Sequence, residues 1–114
     1  MPSKEDLFDR AVDRISEGQL EEAIAAYREA LAVDPDYADA IEGLSMALAD
    51  LERWDEALAA AHRVVELNPD DQLPYTNLSR IYQRAGDVPK AEEWAAKGRV
   101  IEWKLQLRGG KPGS

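Results

Sequence analysis

Apolar residues recur along the chain at intervals of three and four, which is the spacing of one face of an α-helix. The first such segment is predicted to begin near Lys4, after a capping-box pattern formed by Ser3 and Asp6. Its apolar positions are Leu7, Phe8, Ala11, Val12 and Ile15. The same spacing returns in five later segments separated by Gly, Pro, Asp and Asn, so the pattern predicts an all-helical chain.

The helical pattern repeats with a period of 34 residues. Counting forward by this period from Ala23 gives Ala57 and then Ala91. The same step relates three further sets, which are Leu20, Trp54 and Val88; Gly18, Glu52 and Gly86; and Pro35 with Pro69. A helical repeat of this length is typical of a solenoid in which each helix-turn-helix unit buries its apolar face against its neighbours.

The repeated residues resemble the tetratricopeptide repeat family, whose motif has a small residue, a large residue, a turn Gly, an Ala, an aromatic, a second small residue and a closing Pro. The resemblance implies an all-α fold, a right-handed α-solenoid of three repeats and six helices with the last helix extended. Residues 1–108 would form one domain, with repeats at about 4–37, 38–71 and 72–105, and residues 109–114 a flexible tail.

The chain departs from the repeat pattern at its two ends. Arg10 and Arg14 align with large core residues of the later repeats, and with no earlier repeat to pack against we expect both slots to face solvent. At the other end Trp103 stands where the earlier repeats have Pro, so the last helix is predicted to continue from about Val88 to Arg108.

The overhang of this last helix is rich in apolar residues, and two hypotheses explain it. In one, the helix covers its own end of the solenoid and turns Lys97, Arg99, Lys104 and Arg108 towards water. In the other, the apolar side pairs with a second copy and makes a homo-oligomer. The residues assigned to self-association are Val100, Trp103 and Leu107.

Charge is distributed unevenly along the 114 residues, whose formal net charge is −9. Residues 1–71 carry a net charge of −13 and residues 72–114 a net charge of +4. An acidic surface disfavours nucleic-acid binding, which needs a basic face, and favours a basic or amphipathic protein partner or simply a solvated surface. The N-terminal residues lack the pattern of a signal peptide and no segment is long enough to cross a bilayer, so we expect a cytoplasmic protein without membrane insertion.

The residues needed for catalysis, metal binding or cofactor binding are not found in the sequence. The chain has no Cys, and His62, its single histidine, is predicted to be an exposed helix residue without a triad partner. Ser45 and Ser79 occupy slots where the family commonly has Gly, so we interpret them as close-contact positions and not as nucleophiles. We therefore predict that the protein is not an enzyme and has no cofactor.

By the resemblance, the functional surface is the concave groove lined by the first helix of each repeat. The register and the helical spacing assign these residues to it: Phe8, Val12, Ile15, Asp39, Glu42, Met46, Asp50, Leu73, Thr76, Asn77, Arg80, Gln83 and Arg84. The groove is expected to be acidic and apolar at its start and basic at its end, where Arg80 and Arg84 are spaced to hold a carboxylate. The alternative is that Phe8, Val12 and Ile15 belong to the core.

One known function of the family can be tested on these residues. Repeat domains that bind the acidic C-terminal tails of cytosolic heat-shock chaperones use a clamp of Lys, Asn and Arg side chains. The matching positions here are Phe8, Val12, Gly43, Leu73 and Asn77. None is positively charged, which disfavours a chaperone-binding co-chaperone. The favoured hypothesis is a non-enzymatic scaffold or adaptor that binds a peptide segment of another protein. The alternative is a structural self-association module, either a homodimer or a head-to-tail stack through the long last helix and the acidic and basic ends.

Overall fold

A computed structural model describes residues 1–109, which form six α-helices and no strand. The helices are α1 (Lys4–Ser16), α2 (Leu20–Val33), α3 (Ala38–Asp50), α4 (Trp54–Leu67), α5 (Gln72–Arg84) and α6 (Val88–Gly109). They form three pairs, α1 with α2, α3 with α4 and α5 with α6, and successive pairs stack through α2 on α3 and α4 on α5. The predicted α-solenoid of three helix pairs is confirmed.

The helix ends follow the capping signals of the sequence. At the start of α1 the Ser3 hydroxyl accepts a hydrogen bond from the Asp6 amide at 3.1 Å, and the Asp6 carboxylate accepts one from the Ser3 amide at 3.3 Å. At the start of α6 the Asp87 carboxylate accepts a hydrogen bond from the Lys90 amide at 3.2 Å. These side chains satisfy amides that have no partner within the helix.

The turn inside each helix pair has the same geometry in all three repeats. Gly18, Glu52 and Gly86 adopt φ values of +77°, +59° and +91°, which lie in the left-handed region. In each case the next amide donates to the carbonyl five residues earlier, from Gln19 to Arg14, Arg53 to Leu48 and Asp87 to Tyr82, at 2.8–2.9 Å. A residue with a left-handed backbone conformation thus ends the first helix of each pair. A residue that has a Cβ adopts this conformation at a cost in free energy.

Small residues lie where the helices approach one another most closely. Ala23, Ala30, Ala57, Ala61 and Ala91 are at most 2% exposed. Ser45 is fully buried and its hydroxyl donates to the Glu42 carbonyl at 2.7 Å, while the Ser79 hydroxyl donates to the Ala91 carbonyl at 2.6 Å. Both serines thus lie at close contacts between or within helices, as their positions in the repeat predicted.

At both ends of the solenoid, charged residues occupy positions that carry large apolar residues in the other repeats. Arg10 is 48% exposed, with its guanidinium 3.7 Å from Glu29, and Arg14 donates to Glu17 at 2.7 Å. At the other end, Glu92 and Arg99 of α6 are exposed at positions that match buried or half-buried apolar residues of α2 and α4. These charged groups disfavour a further repeat packed squarely on either end.

The last helix is as long as its lack of a proline predicted. It ends at Gly109, so this first residue of the predicted tail 109–114 is helical, and residues 110–114 lie outside the described residues. Within the part of the chain that the structure describes, no helix is both long and apolar enough to cross a membrane.

Glu52 offers a direct test of the turn geometry. Glu52→Gly is expected to raise the free energy of unfolding by about 1 kcal/mol, because a left-handed φ costs a residue with a Cβ but not glycine. The measurement is urea unfolding followed by circular dichroism. Ala59→Gly, at an exposed position inside α4, is the control and should lower stability by about 1 kcal/mol. A loss of stability in Glu52→Gly would contradict the turn geometry.

Candidate functional site

The candidate groove comprises the first helix of each pair. Contacts join these helices across repeats: Phe8 of α1 lies against Tyr37 at the start of α3, and Asp50 at the end of α3 accepts a hydrogen bond from Arg84 of α5 at 3.0 Å. Because the repeats share one register, residues at matching positions of α1, α3 and α5 face the same side.

The first end of the groove combines a packed aromatic with exposed aliphatic side chains. Phe8 is half-buried, with its ring edge-on to Tyr27 at 5.9 Å and tilted against Tyr37 at 5.6 Å. Val12 and Ile15 are 43% and 37% exposed. The apolar stripe of α1 is therefore divided, since Leu7 and Ala11 enter the core whereas Val12 and Ile15 remain at the surface. Met46 of α3 is half-buried against the core.

The floor between α1 and α3 is filled by an aromatic ring from α2. A Cβ at Gly43 would overlap the Tyr27 ring, so a larger residue at this position would have to displace that ring. Tyr27 is only 4% exposed, and this burial raises the pKa of its hydroxyl. Gly43 is one of the five clamp positions, and its place in the groove is occupied by the chain's own side chain.

The middle of the groove holds a carboxyl group that is largely withdrawn from water. The Glu42 atom Oε1 is buried and has no hydrogen-bond partner among the described residues. Burial raises the pKa of Glu42 and the nearby charges of Asp71 and Asp39 add to the rise, while the neighbouring Asn77 side chain of α5 opposes it. Asn77 is itself only 9% exposed. Glu42 and Asn77 thus form a polar contact between the second and third repeats.

The last part of the groove is less basic in effect than its sequence predicted. The Arg84 guanidinium is bound to Asp50 and also lies over the Trp54 ring at 5.8 Å. Arg80 is exposed and has no salt-bridge partner within residues 1–109. Arg80 and Arg84 were predicted to bind a partner's carboxylate together. Arg80 remains available for this, whereas Arg84 already binds the Asp50 carboxylate.

The remaining groove residues are either exposed or hydrogen-bonded within their own helix. Leu73 is 59% exposed, and Asp39 and Gln83 are also exposed. The Thr76 hydroxyl donates to the Gln72 carbonyl at 3.5 Å, within its own helix. Leu73, at the start of α5, is the most exposed aliphatic side chain of the assigned set.

His62 lies in a different environment from the one predicted. It is half-buried, with its Nε2 atom 2.8 Å from the Tyr82 hydroxyl and its ring edge-on to Trp94 at 5.0 Å. The prediction of an exposed residue is wrong, because Tyr82 and Trp94 of the third repeat cover this face of α4. Burial lowers the pKa of His62, and Lys90 and Lys97 lower it further against the effect of Glu66. No group of three or more potential metal ligands occurs within residues 1–109.

The C-terminal end of α6 forms a second candidate surface. Gln72, the first residue of α5, donates to Glu102 of α6 at 3.3 Å. The start of α5 therefore lies beside Glu102, and the rest of α6 extends past it. The seven residues after Glu102 extend about 10 Å farther at ~1.5 Å per residue. Ile101 is half-buried against the core, whereas Trp103 and Leu107 are 60% and 62% exposed.

Three of the exposed apolar residues of α6 share one side of the helix. Val100, Trp103 and Leu107 follow a spacing of three and four, and Val100 is 47% exposed. The opposite side of α6 faces α5, where a Cβ at Gly98 would lie 3.1 Å from the Tyr75 Cβ atom. The helix therefore does not cover its own apolar end, and the predicted self-association residues remain exposed.

The Glu42 carboxyl group allows a test of the middle of the groove. Its raised pKa means that the folded state disfavours the ionised form, so this penalty is absent below the unfolded pKa near 4.5 and grows as pH rises through the folded pKa. Glu42→Gln, which mimics the protonated group, should therefore raise the urea midpoint at pH 7 and leave it unchanged at pH 4.

Glu92→Gln serves as the control for this test, because Glu92 is an exposed acid of α6 and is not among the charges that act on Glu42. It should bring no gain in stability at pH 7. A Glu42→Gln variant less stable than the parent at pH 7 would show that the ionised carboxylate is stabilised in the folded protein.

Comparison with known proteins agrees with this architecture. The tetratricopeptide repeat family model matches residues 14–75. Hsp70-Hsp90 organizing protein of Triticum aestivum is 33% identical over 87 residues, which are 76% of this chain and 15% of that protein. The chain thus spans less than one-fifth of the length of this curated relative.

Two solved structures show the same fold. A crystal structure of MamA protein is 20% identical with a TM-score of 0.89, and the match covers 98% of this chain and 61% of that one. The first TPR of Spaghetti (RPAP3), bound to the HSP90 peptide SRMEEVD, is 17% identical with a TM-score of 0.80, covering 94% of this chain and 89% of that one. At these identities the likeness concerns the fold alone.

Proposed function

Because this chain belongs to the tetratricopeptide repeat family, we propose that it is a non-enzymatic scaffold or adaptor that binds a peptide segment of a partner protein in the groove of α1, α3 and α5. Proteins of this fold mediate protein–protein interactions. The observation that carries the proposal is the exposure of Val12 and Ile15 in the groove, next to the half-buried Met46. A cytoplasmic location stays a prediction of the sequence.

The chemistry of the groove favours a segment with apolar anchors. Val12, Ile15 and Leu73 are exposed aliphatic side chains at two ends of the groove, and desolvated apolar anchors carry most of the binding energy in such interfaces. Asp39 and Arg80 are exposed charges of opposite sign, which orient a bound segment more than they hold it. An extended or helical segment with aliphatic anchors and charges of both signs satisfies these positions.

The groove is poorly suited to the acidic chaperone tail that the Spaghetti domain binds. Phe8 is packed against two tyrosines, the space at Gly43 is taken by Tyr27, and Asn77 is buried beside a carboxyl group. A carboxylate placed near Glu42 would meet like charge and not a cation. The likeness to chaperone-binding proteins therefore supports peptide binding as the mode, and the groove chemistry favours a different peptide.

Measuring the binding affinity and the melting temperature of the same variants distinguishes exposed groove residues from core residues. A binding peptide is first selected from a phage-displayed random library against the whole chain, and its affinity is measured by fluorescence anisotropy. Val12→Ser should weaken binding about 10-fold, or ~1.4 kcal/mol, and Arg80→Ala should weaken it less, both with little change in melting temperature. Met46→Ala should lower both affinity and melting temperature, because Met46 also packs against the core.

The control variants match these changes outside the groove. Val88→Ser alters a valine of similar exposure, 47% against 43%, at the start of α6, and Arg99→Ala removes an exposed arginine of α6. Both should leave affinity unchanged, and SRMEEVD should show no micromolar binding to the unmodified chain. Unchanged affinity in Val12→Ser and Arg80→Ala would exclude the groove as the binding site, and tight binding of SRMEEVD would favour the chaperone-tail function.

A second candidate function is self-association through α6. It is favoured by the exposed stripe of Val100, Trp103 and Leu107, since contiguous apolar surface of this kind marks interaction sites. Trp103 and Leu107 lie beyond Glu102, where the start of α5 contacts α6, so the stripe can be reached by another molecule without unfolding.

The apolar stripe of α6 gives a prediction for mass in solution. The average mass of the chain, measured by light scattering up to millimolar concentration, should rise towards that of a dimer. The double variant Trp103→Ser with Leu107→Ser should stay monomeric and keep its melting temperature, because neither side chain packs in the core. A parent chain of monomer mass at every concentration would exclude self-association.

A further inference from the structure

An open hollow lies at the end of the solenoid opposite to α6. It has a volume of about 360 Å³ and opens between the start of α1 and the end of α2. Its lining residues are Met1, Pro2, Leu7, Glu29, Ala32 and Val33. Leu7 forms the buried floor, whereas Val33 is 53% exposed, so an apolar surface is open to solvent here.

The hollow and the end of α6 lie at the same edge of the solenoid. Successive helices run in opposite directions, so α2, α4 and α6 all end at the edge where α1, α3 and α5 begin. The hollow is at this edge in the first repeat, and Trp103 and Leu107 are at this edge in the third. Two copies placed end to end therefore bring the end of α6 of one copy close to the hollow of the next.

Charge distinguishes this arrangement from a symmetric pairing of two α6 helices. After Glu102, α6 carries Lys104 and Arg108 and no acid, so a symmetric pair would place like charges together. The segment 4–37 carries ten acidic and four basic residues, and Glu29, at the rim of the hollow, has a side chain 60% exposed. Opposite charges meet when the end of α6 approaches the first repeat.

We propose that Trp103 and Leu107 of one copy dock in the hollow of a second copy, at Val33, so that the chains associate head to tail. The proposal rests on the self-association suggested above and is independent of the peptide groove. The charged side chains of Arg10 and Arg99 prevent close packing between the other surfaces of the two ends. The interface is therefore small and the association weak. Since the two contacting surfaces differ, the contact is heterologous and the assembly can grow beyond a dimer.

A mixing experiment tests this geometry. The hollow variant is Val33→Asp, and the α6 variant is Trp103→Ser with Leu107→Ser; each is examined alone and in a 1:1 mixture by sedimentation velocity. Each variant alone should show at least a 10-fold weaker self-association than the parent. The mixture should form a dimer that does not grow further, because one intact hollow and one intact α6 end remain per pair.

Two further measurements complete the test. Val88→Ser, far from both surfaces, should associate like the parent, and 0.5 M NaCl should weaken association of the parent because it screens the attraction between the ends. Thermal unfolding checks that Val33→Asp is folded, and Val33→Ser replaces it if it is not. If Val33→Asp associates like the parent, or the mixture stays monomeric, the head-to-tail contact is wrong. A parent chain that is monomeric throughout would overturn self-association as well.

Discussion

The structure depends on the close approach of paired helices at alanine positions. Ala23 and Ala30 on α2, Ala57 and Ala61 on α4 and Ala91 on α6 are nearly or completely buried, and a larger side chain at any of them would force two helices apart. The larger residues between them, such as Leu48 and Leu78, then fill the space between successive pairs. A groove with a regular spacing follows, because each pair has the same thickness.

This spacing explains why the groove carries both exposed and buried functional groups. Once the helices are close, the long side chain of Tyr27 reaches under Gly43 and fills the floor of the groove, and Glu42 is pressed against Asn77 in the next repeat. Val12 and Ile15 of α1 are not covered by the later repeats, so they remain at the surface. The proposed peptide-binding site is thus a consequence of which groove positions the stacking of these repeats leaves open.

The same stacking explains the distribution of charged and apolar residues at the two ends of the molecule. Each end presents charged groups at the slots where a neighbouring repeat would need apolar ones, as Arg10 and Arg99 show. Apolar surface is left exposed at one edge, at Val33 in the first repeat and Trp103 in the last. The ends therefore disfavour continuous stacking of repeats but leave a restricted contact available, which is the basis of the proposed association.

The sequence by itself determined the helices, their caps and the period, because these depend on local spacing and on residues such as Ser3 and Gly18 that act through their own backbone. It also predicted the length of α6 from the missing proline. Only the tertiary structure decided the burial of His62 and Glu42 and the pairing of Arg84 with Asp50. Those environments are made by side chains of neighbouring repeats, whose reach and direction the period of the sequence does not contain.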